Sequence, residues 1–168
     1  MSKISDLALL ASRAILGGYL AAHGAQKLGA LDGRGLEATG SHFESLGLGP
    51  GSVTAPLAAA CEIGGGVLTA AGVGGPVGPA LIAGTMAVAA STHRAKGPFA
   101  AKGGYELPLT NLAAALALAV SGPGRFSLSG GRSAPGRLSK LFLAAVAAGS
   151  AAALTRTLGT RPASASEA

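Results

Sequence analysis

Five apolar stretches separated by polar breaks rich in Gly and Pro organise this chain. The first, residues 4–22, approaches the roughly 20 residues that a helix needs to cross a hydrocarbon core, and one charge, Arg13, interrupts it. Residues 25–52 then turn polar. There Asp32-Gly33 and Gly49-Pro50-Gly51 are turn signals that bracket a short amphipathic piece around 36–46, which reads as a loop outside the membrane. The second stretch, 53–73, is broken only by Glu62 and stops at Gly74-Gly75-Pro76, so a tight hairpin leads into the third, 76–92. That one closes on His93, Arg94 and Lys96. After Gly97-Pro98 and Gly103-Gly104, a fourth runs from Tyr105 or Glu106 to Ser121 and ends at Gly122-Pro123-Gly124.

Beyond it the pattern weakens. Residues 127–136 read as a flexible basic linker of Ser, Gly and Arg. The fifth apolar segment, 141–154, is short for a span, although 139–158 reaches if its basic ends snorkel. The expected organisation is all-α: a polytopic membrane four-helix bundle over residues 1–129, then a region 130–168 holding the linker, a fifth membrane helix if it crosses, and a disordered tail from 159 onward.

Composition strengthens the membrane reading. Of 168 residues, 49% are hydrophobic and 12% charged, against roughly a quarter charged in soluble domains, so an aqueous surface would lack polar groups. The 28 glycines suit close packing of lipid-embedded helices. Net charge is +6, but without Trp and with two Tyr there is no basic run interleaved with stacking aromatics, which argues against nucleic acid as a partner. A lipid bilayer accounts for the basic excess instead. With four spans, Lys3, Arg125, Arg132, Arg137, Lys140, Arg156 and Arg161 outnumber Lys27, Arg34, Arg94, Lys96 and Lys102, which places the N-terminus in the cytoplasm. A fifth span moves Arg156 and Arg161 across and reverses the balance.

Charges inside the apolar stretches are the informative residues. Arg13 and Glu62 lie near the centres of theirs, where an unpaired charge costs at least ~3 kcal/mol. They are expected at similar depth, paired between the first two helices. At about 100° per residue, Arg13, His23 and Lys27 share a helical face, and hairpin connectivity brings His23, Lys27, His93 and Glu106 to one membrane boundary. Gln26 joins the mouth of this cluster. Two readings follow: the charges lock the bundle together, or they form a polar pocket that binds a quinone head group, relays protons or receives a small oxyanion. No ligand pair with HxxxH or ExxH spacing supports a metal. The single cysteine, Cys61, reads as a packing residue, since it allows no intrachain disulfide and no CxxC motif.

An ordered set of short motifs then resembles the DoxX family of bacterial membrane proteins. It consists of Arg13; His23-Gly24-Ala25-Gln26-Lys27-Leu28; Glu62-Ile63-Gly64-Gly65-Gly66 with Leu68; Met86 with His93; Gly104-Tyr105-Glu106; and Gly122-Pro123-Gly124-Arg125-Phe126-Ser127-Leu128. One departure is Ser129, where the family often has an acidic residue. The family takes its name from a thiosulfate:quinone oxidoreductase subunit, and other members are associated with oxidative-stress and thiol-detoxifying assemblies. The resemblance therefore implies a subunit of the bacterial inner membrane, quinone as a cofactor to test, and redox or detoxification enzymes as partners. Two other functions fit the same residues: a small transporter or channel, which needs association of like chains to widen its path, and a membrane scaffold for soluble enzymes.

Overall fold

The computed structural model describes residues 2–131 and 137–159. Residues 132–136 of the expected linker and 160–168 of the expected disordered tail lie outside this range. Six α-helices account for most of it: α1 (Lys3–Lys27), α2 (Gly35–Ser45), α3 (Gly51–Ala71), α4 (Val77–His93), α5 (Glu106–Ser121) and α6 (Arg137–Gly159), with two single 3-10 turns, Arg94–Lys96 and Ala100–Lys102, between α4 and α5. No strand occurs among the described residues. The protein is an all-α bundle.

Each helix begins and ends where local chemistry requires. Ser2 caps α1 by accepting the Ser5 N–H at 3.2 Å. The helix runs past the apolar stretch to Lys27, so His23, Gln26 and Lys27 extend from its last turn. Gly72, at φ +67°, terminates α3 in the left-handed conformation that glycine tolerates best.

Small residues set the helix approach. A methyl group on Gly17 would stand 2.5 Å from the Gly66 carbonyl oxygen, and one on Gly66 would stand 2.5 Å from that of Gly17, so α1 and α3 touch backbone to backbone. Gly24 meets Ala59 and Ile63 farther along, which makes the pair antiparallel. Gly78 on α4 faces Thr69, and Gly65 faces Leu81, continuing the hairpin. Leu16, Leu20, Ile82, Ala83, Met86, Ala115 and Leu118 fill the junction of α1, α4 and α5. The last helix, α6, lies on α4: Gly84 faces Ser150, and the Ser91 and Thr157 hydroxyls are 2.7 Å apart. Both positions advance together, so α4 and α6 are parallel.

Large apolar side chains cover the outside of the bundle, while charged ones are buried inside it. Val120 and Ile15 are 89% and 72% exposed, whereas Arg13 and Glu62 are 3% and 4% exposed. Water would reverse that distribution; lipid favours it. By length and composition α1 and α3 are suited to crossing a membrane. At 17 and 16 residues, α4 and α5 rise only about 24–26 Å, so their ends need flanking residues such as Arg94, Lys96 and Tyr105 to reach the interface.

Candidate functional site

A cavity of about 920 Å³ opens at the end of the bundle where α1 and α4 finish and α3 begins. All six helices contribute walls; α5 with its preceding turns supplies Gly103, Leu107 and Asn111. From α1 come Leu20, His23, Gln26 and Lys27; from α2, Thr39, His42 and Phe43; from α3, Cys61 and Glu62; from α4, Leu81, Thr85 and His93; and from α6, Val146, Gly149 and Ser150. Leu81 and His93 are separated by about 18 Å of helix, so the space reaches from a polar mouth deep into the apolar bundle.

The mouth is organised around one ion pair. Lys27 Nζ lies 2.6 Å from Glu62 Oε2, with the two side chains 12% and 5% exposed. This corrects the expected pairing of Arg13 with Glu62. Residues 13 and 62 do sit on packed helices, but Arg13 reaches the other way, donating to Ala70 O at 2.8 Å and Phe126 O at 2.6 Å. The Ala70 carbonyl, in the last turn of α3, and the loop carbonyl of Phe126 both accept from the guanidinium, so no carboxylate is needed there. Glu62, deeper on the cavity side, is instead within reach of the long Lys27 side chain, which folds back along the antiparallel interface.

Four further placements complete the comparison with expectation. The His93 Nδ1 is 2.8 Å from Ala89 O, and because a carbonyl only accepts, the proton of a neutral His93 belongs on Nδ1, leaving Nε2 as the ring's acceptor. His23 stacks on Tyr19 with ring centroids 6.1 Å apart. Gln26 donates to Leu31 O at 3.5 Å. Glu106 does not line the cavity: its carboxylate accepts the Ala100 N–H at 2.9 Å and closes the turn before α5. Thus His23, Gln26, Lys27, Glu62 and His93 come together around one space, while Arg13 and Glu106 stand apart from it.

Sequence reasoning missed His42 and the place of α2 in the cavity wall. The signal was present, since Thr39, His42, Phe43 and Leu46 follow helical spacing and all four line the cavity. All three histidines of the chain therefore face the same space. Cys61 also lines it. Asn111 reaches across to Met86 Sδ at 3.9 Å. Among the described residues, no three His, Cys, Asp or Glu side chains are grouped to hold a metal ion.

At the opposite end the segment after α5 is tied across the ends of α1 and α3. Asp6 accepts the Arg125 N–H at 3.1 Å, Arg13 holds Phe126 O, Leu128 N–H donates to Ala71 O at 3.0 Å, and the Ser129 hydroxyl donates to Gly72 O at 2.7 Å. These contacts give the Gly122–Ser129 motif a structural purpose: it latches the bundle shut. Ser129 takes part as a donor to a carbonyl, a contact an ionised acid cannot make.

An all-α membrane bundle with an apolar cavity and an ionic mouth is the class of protein defined by these features. The DoxX family model matches residues 8–95, just over half of the chain, and the chain belongs to the DoxX family. No curated protein and no solved structure matches it.

Proposed function

We propose that this chain is a quinone-binding membrane subunit of a bacterial redox or oxidative-stress assembly in the inner membrane, with the cavity as its quinone site. The observation that carries this reading is the shape and chemistry of the cavity: an apolar volume of about 920 Å³, within the usual range for small-molecule sites, that meets its polar groups at one end. A quinone has the matching form, with two carbonyl acceptors on a flat ring and an apolar tail. Lys27 and Gln26 offer donors to a ring carbonyl, and His23, His42 and His93 supply imidazole nitrogens able to donate or accept hydrogen bonds. Glu62 holds the Lys27 ammonium at the mouth. An apolar tail would run along α4 and α6, past Thr85, Gly149 and Ala153. A bound quinone supplies carriage of two electrons and two protons. Redox or thiol-detoxifying enzymes are the partners that such a subunit would serve.

The test is mass spectrometry of lipids and proteins that copurify from the native membrane, followed by thermal unfolding with a short-tailed quinone analogue. Retained quinone and a raised unfolding temperature are expected. Lipid extracts without quinone, together with an unchanged unfolding temperature, would overturn the reading.

A further inference from the structure

The latch end of the bundle contains two polar atoms that no described residue satisfies. Arg13 Nε and Thr69 Oγ1 are both buried and, among the described residues, both lack a hydrogen-bond partner. Their residues are 3% and 2% exposed, in a part of the molecule flanked by lipid-facing helices. Native proteins rarely leave such groups unmatched, and the usual remedy at a polar site with room is an internal water.

Room exists at that point. Arg13 and Thr69 line the same small cleft, walled otherwise by apolar Pro79 and Leu118 and by the backbones of Gly72 and Gly122. The cleft measures about 10 Å³ for the centre of a water molecule, close to the volume that admits one and no more. The partners are complementary too. A guanidinium Nε–H only donates, whereas a threonine hydroxyl donates or accepts. Water alone among common small species can accept from the first and then serve the second in either sense.

We propose that one structural water occupies this cleft, accepting from Arg13 Nε and hydrogen-bonded to Thr69 Oγ1. It adds a third acceptor to the Ala70 and Phe126 carbonyls, so that each nitrogen of this buried guanidinium has a partner without a carboxylate. It also links α1 to α3 at the point where the Gly122–Ser129 segment is fastened. A monovalent anion is the competing occupant, since Arg13 carries charge and no described carboxylate pairs with it. The size of the cleft favours the smaller, neutral molecule, and the carbonyl oxygens already gathered around the guanidinium disfavour a negative charge.

Crystals of the full chain grown from a lipid phase, at a resolution that shows ordered water, test this directly. A single peak about 3 Å from both Arg13 Nε and Thr69 Oγ1 is expected. A cleft without density would overturn the proposal, as would a bromide anomalous peak there after soaking. A second readout uses the sign of a stability change. If water serves Thr69, Thr69→Val strands it and lowers the unfolding temperature by about 2–4 °C, while Thr69→Ser stays near the parent. If the hydroxyl is dry, Thr69→Val removes an unmatched group, and an unchanged or raised unfolding temperature overturns the proposal.

Discussion

A buried ion pair and a buried cation without one respond differently to substitution. Removing one member of the Lys27–Glu62 pair leaves the other charge on a cavity wall, so Glu62→Gln and Lys27→Met should each destabilise by about 3–5 kcal/mol. The double variant should lose less than the two singles combined, as unfolding in mixed detergent will report. Arg13→Lys should cost about 1–3 kcal/mol despite keeping the charge, because an ammonium cannot span the Ala70 and Phe126 carbonyls as the planar guanidinium does. These two sites also show what the sequence revealed and what it concealed. Hairpin connectivity alone predicts His23, Lys27, His93 and Glu106 at one boundary, because alternating helices must return their ends to the same side. It was not enough to pair Arg13, because depth names candidates but not direction, and its acceptors are backbone carbonyls that no residue type announces. Glu106 failed for a related reason: its boundary was right, but a local N–H at Ala100 claimed the carboxylate.

Glycines in neighbouring positions do opposite things along these helices. Gly17→Ala and Gly66→Ala each drive a methyl into the facing backbone at 2.5 Å and should destabilise by roughly 1–3 kcal/mol, whereas Gly18→Ala and Gly64→Ala meet nothing within 4 Å and should be tolerated. The triplet Gly64-Gly65-Gly66 was legible as a packing surface, yet which of the three faces a helix depended on the rotation of α3, which the sequence pattern does not define. Gly149 makes a different test. A Cβ there meets no atom within 4 Å and the residue lines the cavity, so Gly149→Leu should fold normally. It should weaken binding of a long-tailed quinone analogue several-fold more than that of a tailless one, as measured by thermal shift. Helix α6 was the hardest element to read, because its apolar segment falls short of a full span. Its small-residue contacts with α4, not its hydropathy, hold it on the bundle.

The parallel packing of α4 and α6 bears on how the whole molecule sits in the bilayer. It carries Arg156 to the mouth end, where its guanidinium lies 3.5 Å from Gly49 O, rather than back to the side of the N-terminus. Among the described residues, the mouth end then holds Lys27, Arg34, Arg94, Lys96, Lys102 and Arg156, and the latch end holds Lys3, Arg125, Arg137 and Lys140. The four-span count favoured a cytoplasmic N-terminus; the helix direction favours the reverse, with the cavity mouth on the cytoplasmic side. That orientation also suits a subunit whose cavity opens toward soluble redox partners. Single cysteines placed at Ser2 and at Lys102 in a Cys61→Ala background, labelled in intact cells with a membrane-impermeant maleimide, distinguish the two arrangements. With the mouth inside, the cysteine at position 2 should label before lysis and that at 102 only after it. The opposite pattern would show that the charges flanking the first four helices, not those that α6 carries across, set the topology.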